Sequence, residues 1–217
     1  MEDSKALDWA NLARYEDDNL KVGLPKKDER RVVFMGDSIT EEWSNLYPEY
    51  FTEKGYINRG IGGQTTPQML IRFKPDVVDL KPEIVVVLAG TNDIAGNTGP
   101  SNAKMITDNI FSMAEIAKAY QMKVVLSSIL PVYQYDWARE IKDPPSTIQA
   151  VNDALNQYAS DHGLIYIDYF SSMSDERQGL NSDYTSDGVH PNENGYILMS
   201  SLAEEVLSEL LNRCYFR

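Results

Sequence analysis

The 217-residue sequence is poor in the residues that build disulfides and metal centres. It has one cysteine, Cys214, and two histidines, His162 and His190. A single cysteine cannot form a disulfide within the chain, and Cys214 stands in no motif, so we interpret it as a structural residue. The two histidines are too far apart for the His-x-x-x-His pattern of a zinc site. The sequence therefore predicts no metal centre.

Positive charge and long apolar runs are also scarce. Lysine and arginine number 20 against 33 aspartates and glutamates, which gives a net charge of −13. Such an acidic surface repels nucleic acid and anionic membranes, so neither is an expected partner. No apolar run approaches the roughly 18 residues that span a bilayer. Residues 1–5 lack the apolar stretch of a signal peptide, but a mature exported protein would look the same, so the compartment stays open.

Two common catalytic signatures are missing as well. The sequence has no Gly-x-x-x-x-Gly-Lys-Ser/Thr loop, which binds nucleotide phosphates, and no Gly-x-Ser-x-Gly elbow. The second absence argues against an ordinary α/β-hydrolase.

What the sequence does contain is an alternation of apolar runs with helical patterns. We predict strands at 32–35, 55–59, 84–89, 123–129 and 164–168. This alternation predicts an α/β fold, a three-layer α/β/α sandwich around a five-stranded parallel sheet. By analogy we expect the flavodoxin-like strand order 2-1-3-4-5.

The chain divides into a charged N-terminal extension, residues 1–30, and one domain, residues 31–217. The extension contains a few apolar and aromatic side chains that would pack a short helix onto the domain: Trp9, Leu12, Tyr15 and Leu20. Gly23 then breaks this helix before the first strand.

Polar motifs follow several of the predicted strands. Ser38 follows the first strand, Gly63 the second and Asn92 the third, and His190 follows the fifth after a long loop. The carboxyl ends of parallel strands share one edge of a sheet, where open α/β folds build their sites. We therefore expect these residues to converge, together with Asp187, three residues before His190.

These residue types suit acyl transfer. The Ser38 hydroxyl would attack an ester carbonyl, with His190 as general base and Asp187 accepting from the imidazole. The resulting oxyanion needs fixed donors, for which we predict the backbone N–H groups of Ser38 and Gly63 and the side-chain amide of Asn92.

Taken singly, each of these residues has a simpler interpretation. Ser38 and Asn92 would cap helices, Gly63 would form a plain turn, Asp187 an Asx turn, and His190 would lie on the surface. The ordered set favours the enzyme. His162 precedes a glycine at a predicted helix end, where we expect a structural role.

Aromatic residues mark a candidate substrate pocket. Tyr133, Tyr135 and Trp137 lie in the loop after the fourth strand, and Trp43 follows Ser38. They would wall a small acyl pocket or stack on a sugar ring. The alternative is that these aromatic residues simply pack the loop.

The ordered blocks Gly36-Asp37-Ser38, Gly63, Gly90-Thr91-Asn92-Asp93 and Asp187-Gly188-Val189-His190 resemble those of the SGNH (GDSL-type) hydrolase family. The resemblance covers about residues 31–205 and implies a flavodoxin-like fold, an acyl-serine intermediate and no cofactor. The glycine-rich stretch before Thr65 is most similar to the platelet-activating-factor acetylhydrolase-like branch and to bacterial acetyl esterases. The chain departs from the family at Gln64, where many relatives carry aspartate.

The expected function is hydrolysis of short-chain acyl esters, acetyl above all, of a carbohydrate or similar alcohol. The expected partner is thus a small-molecule or oligosaccharide ester, and the oligomeric state stays open. Alternatives are a lysophospholipase or thioesterase, a catalytically silent carbohydrate-binding protein, and a flavin-binding carrier.

Overall fold

A computed structural model describes residues 8–212, so Cys214 lies outside the described residues. A 3-10 helix, Leu12–Tyr15, precedes the first α-helix. The strands are β1 (Val32–Gly36), β2 (Ile57–Gly60), β3 (Ile84–Leu88), β4 (Lys123–Ser127) and β5 (Ile165–Ile167). The α-helices are α1 (Glu16–Val22), α2 (Ser38–Leu46), α3 (Pro48–Lys54), α4 (Thr66–Asp76), α5 (Thr91–Ile94), α6 (Ala103–Ala119), α7 (Pro144–His162), α8 (Tyr169–Met173) and α9 (Glu193–Asn212).

The five strands form one parallel sheet in the order β2-β1-β3-β4-β5. This confirms the predicted α/β fold and strand order. The central strands β1 and β3 are buried along their whole length, as their β-branched and apolar sequences require.

Helices cover both faces of the sheet, which makes the predicted three layers. Alternate strand residues point to opposite faces. Val33 and Met35 of β1 pack toward α4, α6 and α7, whereas Val32 and Phe34 pack toward α2, α3, α8 and α9.

The carboxyl ends of the first three strands lie level with one another. Gly36, the last residue of β1, pairs with Gly60 of β2 and Leu88 of β3. A Cβ atom at Gly36 would lie 2.0 Å from Thr40 Oγ1 and 2.7 Å from the Leu88 carbonyl oxygen. Glycine therefore allows α2 to start directly over the strand end, which places Ser38 at this edge.

The N-terminal segment, residues 8–22, contacts the domain differently from the expectation. Trp9 and Leu12 are nearly half exposed and Leu20 is 76% exposed, so these residues do not provide a buried apolar seam. Tyr15 is the predicted residue that does contact the domain, with its ring 4.6 Å from the Arg59 guanidinium. Polar side chains make further contacts, among them Asn19, which donates to the carbonyl of Pro75 and the carboxylate of Asp76.

No helix within residues 8–212 has the length and apolar character to cross a membrane. Over the same residues, His, Asp and Glu side chains form no group of three that could hold a metal ion.

Candidate active site

Ser38 is the first residue of α2 and stands at the carboxyl edge of the sheet. Asp37 caps the helix, because its side chain accepts from the backbone N–H of Ile39 at 2.9 Å. The Ser38 hydroxyl oxygen lies 3.0 Å from His190 Nε2. The structure thus brings together two residues that are 152 positions apart in the sequence.

The Asp187 carboxylate fixes His190 on its other side. Asp187 Oδ2 lies 2.7 Å from His190 Nδ1, and Asp187 Oδ1 accepts from the backbone N–H groups of Val189 and His190. An ionised carboxylate only accepts, so Nδ1 carries the hydrogen and Nε2 is free to accept from Ser38. Partial burial alone would raise the pKa of Asp187, but these hydrogen bonds outweigh it and lower the pKa below its usual value.

The loop before α9 is built to hold this pair. Thr185 is buried and donates from its hydroxyl to the His190 carbonyl at 2.7 Å, while accepting from the Gly188 N–H at 3.0 Å. Gly188 has φ +80°, a conformation that favours glycine and completes the turn between Asp187 and His190. Helix α9 begins at Glu193, three residues after His190.

Gly63 and Asn92 lie beside each other after β2 and β3. Gly63 has φ +75°, and a Cβ there would contact only Asn97 Nδ2, at 3.9 Å. Glycine is therefore favoured here by the backbone conformation and not by a lack of space. Asn92 Nδ2 donates to the Gln64 carbonyl at 3.1 Å, which leaves its second N–H available. Within residues 8–212 no protein acceptor takes the Gly63 N–H.

Asn97 is a site residue that the sequence analysis missed. Its amide nitrogen donates to Asn92 Oδ1 at 2.9 Å and to the Gly63 carbonyl at 3.2 Å. Its Oδ1 accepts from the Trp137 indole N–H at 3.3 Å. Asn97 thereby orients the Asn92 amide, but a lone asparagine in a turn carries no sequence signal for this role.

Asp93 ties the turn after β3 to the start of α4. Its buried carboxylate accepts from the backbone N–H of Thr66 at 2.9 Å and from the Thr66 hydroxyl at 2.6 Å. Burial raises the pKa of Asp93 to about 6, partly offset by the hydrogen bonds from Thr66. The N-cap of α4 is Thr65, and Gln68 completes a capping box with it.

Two of the four predicted pocket aromatics are core residues, which corrects the sequence analysis. Trp43 is 1% exposed, stacks between Tyr50 and Tyr196, and donates its indole N–H to Ser200. It follows Ser38 by five positions, and at about 100° per residue this turns its side chain away from the site.

Tyr135 is also buried and forms a 2.9 Å hydrogen bond with Thr91. It therefore packs against the turn after β3, inside the protein, and does not line an open pocket.

The other two aromatics are half exposed but lie in different surroundings. The Trp137 ring lies 6.4 Å from the His190 ring, nearly parallel to it. The Tyr133 ring instead packs under the Arg177 guanidinium, 5.0 Å away. Only Trp137 of this pair contacts the residues that surround Ser38.

His162 lies at the end of α7, where its Nδ1 is 2.9 Å from the Tyr158 carbonyl and its ring stacks on Tyr158. These contacts are local to the helix end and fit the structural role expected for His162.

Comparison with known proteins agrees with this geometry. The sequence profile of the GDSL-like lipase/acylhydrolase family matches residues 34–198. A Bacteroides fragilis protein described as an acylhydrolase has a crystal structure that superposes with a TM-score of 0.92 at 47% identity, over 94% of this chain and 99% of that chain. A GDSL-like lipase from Bacteroides thetaiotaomicron gives 0.91 at 45% identity, over 93% and 99%.

A bovine relative, platelet-activating factor acetylhydrolase IB subunit alpha1, is 32% identical over 119 residues, or 52% of this chain. The chain spans about half the length of the curated relatives that it matches, 49% in the bovine case. The profile match extends over most of the chain, from the strand before Ser38 to the helix after His190. This chain belongs to the GDSL-like lipase/acylhydrolase family.

Proposed function

We propose that the chain is a serine esterase in which Ser38, His190 and Asp187 form the catalytic triad. One observation carries the proposal: a continuous hydrogen-bonded chain from the Ser38 hydroxyl through both His190 ring nitrogens to the Asp187 carboxylate, at 3.0 Å and 2.7 Å. This is the arrangement that activates a serine hydroxyl for attack on an acyl carbon.

In the first half of the reaction the Ser38 oxygen bonds to the ester carbonyl carbon while His190 Nε2 takes the hydroxyl proton. Asp187 stabilises the imidazolium that forms. When the tetrahedral intermediate collapses, the bond to the alcohol oxygen breaks, and His190 gives its proton to that oxygen. The products are the free alcohol and an acyl ester on Ser38.

Water completes the cycle. His190 takes a proton from water as the water oxygen bonds to the acyl carbon, and the bond to the Ser38 oxygen then breaks. The Ser38 oxygen recovers its proton from His190, and the free acid leaves.

The negative oxygen of both tetrahedral intermediates needs donors that are already in place. The Gly63 N–H, the Ser38 N–H and the second Asn92 N–H are the proposed set. Support comes from the fixed orientation of the Asn92 amide between Asn97 and Gln64. Donors held in advance are worth roughly 2.7–4 kcal/mol each in the transition state.

The proposed substrate is an acetyl or similarly short acyl ester of a carbohydrate. Polar side chains, those of His190, Asn92 and Asn97, lie next to the Ser38 hydroxyl and the proposed oxyanion donors. A long acyl chain gains roughly 0.8 kcal/mol per methylene only where apolar walls cover it. The half-exposed Trp137 indole beside His190 offers a face for a sugar ring, and the name of the bovine relative indicates an acetyl group for that protein.

The test compares initial rates on p-nitrophenyl acetate and decanoate, followed by acetate release from acetylated xylooligosaccharides and from an acetylated ether phospholipid. We expect the acetyl ester and the oligosaccharide to be preferred. Ser38→Ala should abolish turnover and fluorophosphonate labelling, whereas Ser44→Ala, a hydroxyl removal on the same helix, should not. Absence of both labelling and ester hydrolysis in the wild type would refute the esterase, and preference for decanoate or phospholipid would refute the substrate class.

A further inference from the structure

The N-terminal segment, residues 8–22, contacts the loop that carries Gly63. This loop, residues 60–64, is called the glycine loop below. The Tyr15 hydroxyl donates to the Gly60 carbonyl at one end of the loop. At the other end, Gln64 Nε2 donates to the Ala10 carbonyl at 2.7 Å. The segment therefore spans the loop from its first residue to its last.

A third contact reaches the middle of the loop through Glu41 of α2. Glu41 Oε2 accepts from the Gly62 N–H at 2.7 Å, and its Oε1 pairs with Arg14 at 3.1 Å. Arg14 belongs to the N-terminal segment, so this segment also fixes the carboxylate that holds Gly62.

The contacts of the Gln64 side chain give a structural reason for glutamine at a position where many relatives carry aspartate. Its side chain is buried at 3% exposure, with Oε1 accepting from Arg72 Nε at 2.5 Å and Nε2 donating to the Ala10 carbonyl. A carboxylate at position 64 would accept from Arg72 but has no hydrogen to donate to Ala10. The amide at position 64 therefore makes a contact with the N-terminal segment that an aspartate could not make.

Arg72 extends this connection to the turn that carries Ser38. The guanidinium is fully buried and donates to the Gly36 carbonyl at 2.8 Å and to Asp76 Oδ2 at 3.0 Å. Asp76 Oδ1 in turn accepts from Asn19 at 2.9 Å. The N-terminal segment thus contacts this network twice, through Ala10 and through Asn19.

We infer that residues 8–22 are a clamp that positions the Gly63 N–H for the oxyanion, with Tyr15, Arg14 and Gln64 as positioning residues. The inference rests on the proposed function. Gly62 and Gly63 are exposed and have no side chains to restrict them, so their backbone has many accessible conformations unless contacts such as those from Glu41 and Asn97 hold it. A donor that drifts by about 1 Å costs about 100-fold in rate.

A positioning role has a kinetic signature. The oxyanion exists in the transition state and not in the bound ester, so loosening the loop lowers kcat and leaves KM nearly constant. General loss of folded protein would lower the active concentration in every assay and would also lower the melting temperature.

The first test is Tyr15→Phe, which removes one hydroxyl and keeps the ring. We expect kcat on p-nitrophenyl acetate to fall about tenfold, with KM within about twofold of the wild type. The rate of phosphonate labelling at Ser38 should fall by the same factor. Tyr56→Phe is the matched control, because its hydroxyl donates to Glu204, on α9 and away from the loop, and its kcat should stay at the wild-type value.

A second pair of variants tests the contact through Glu41. Arg14 and Glu41 are 48% and 26% exposed in their side chains, and the remote pair Lys54 and Glu204 is 47% and 25% exposed. Arg14→Met should lower kcat and Arg14→Lys should restore most of it, whereas Lys54→Met should change neither kinetic constant. This comparison separates the clamp from the loss of any surface ion pair.

Hydrogen exchange at the amides of residues 61–64 gives a readout that does not depend on activity. Faster exchange in Tyr15→Phe and Arg14→Met, but not in the two controls, is expected. If the wild type hydrolyses esters and these variants match it in both kcat and exchange, the clamp is refuted and the esterase stands. If the wild type hydrolyses nothing, the esterase fails, and unchanged exchange in the variants would refute the clamp separately.

Discussion

Asp187 holds His190 by both its backbone and its ring: Oδ1 accepts the backbone N–H at 2.8 Å and Oδ2 faces ring Nδ1 at 2.7 Å. The carboxylate therefore sets both the position of the residue and the tautomer of its side chain. In a serine triad, the second of these effects carries most of the acid residue's contribution.

Asp187→Asn should lower kcat by about 10³–10⁴-fold, because an amide nitrogen facing Nδ1 favours the tautomer whose Nε2 carries hydrogen and cannot accept from Ser38. The measurement is kcat on p-nitrophenyl acetate. Asp183→Asn, an exposed acid in the same loop, is the control and should retain wild-type kcat. Activity of the Asp187 variant within about tenfold of wild type would contradict the triad.

Asn92 and Asn97 should differ in the size of their effects. Asn92→Ala removes a proposed donor and should lower kcat by about 10²–10³-fold. Asn97→Ala leaves that donor in place but releases its orientation, so a smaller loss, about tenfold, is expected. The measurement is the kcat of both variants on one acetyl ester under steady-state conditions. An equal or larger loss in Asn97→Ala would contradict these roles.

Much of the site could be predicted because it depends on strand ends. Once the apolar runs predict parallel strands, Ser38, Gly63 and Asn92 must fall at one edge, whatever the helices between them do. The position of His190 depended on a long loop, and its return to this edge was indicated by the spacing to Asp187 and by the order of the sequence blocks.

The remaining errors have a physical cause. Residue type predicts that an aromatic side chain is buried or binds a ligand, but not which of the two. Trp43 lies in the core because its position around α2 directs the side chain away from the site. Tyr135 lies in the core with its hydroxyl hydrogen-bonded to Thr91. The N-terminal segment attaches through single polar pairs such as Gln64 with Ala10, and no sequence period encodes such pairs.

Trp137 offers a test of the sugar-binding role. Trp137→Ala should raise KM for an acetylated xylooligosaccharide about fivefold, which corresponds to about 1 kcal/mol of aromatic contact. It should lower kcat on p-nitrophenyl acetate less than Asn97→Ala does, because the indole N–H reaches the proposed oxyanion donors only through Asn97. Trp137→Phe keeps an apolar face and should retain most of the affinity. Tyr133→Ala is the control, because that ring is equally exposed in the same loop but packs on Arg177. Equal KM changes in the Tyr133 and Trp137 variants would rule out a specific platform at Trp137.

Asp37 should make the protein less stable as the pH rises. Its side chain is 1% exposed, and burial raises its pKa from 3.8 to about 7, against the opposing effects of the Ile39 N–H and His190. Between about pH 4 and about pH 7 the folded chain therefore keeps a proton that the unfolded chain has lost, and folding stability decreases with pH across this window.

Asp37→Asn removes this titration and keeps an oxygen that can accept from the Ile39 N–H. The free energy of unfolding in urea should therefore fall less steeply with pH in the variant, by up to roughly 4 kcal/mol between the two ends of the window. Asp93, whose burial also raises its pKa, remains in both proteins and accounts for part of the residual slope. If the free energy of unfolding varies with pH in parallel for the wild type and Asp37→Asn, the pKa of Asp37 is not raised in the folded protein.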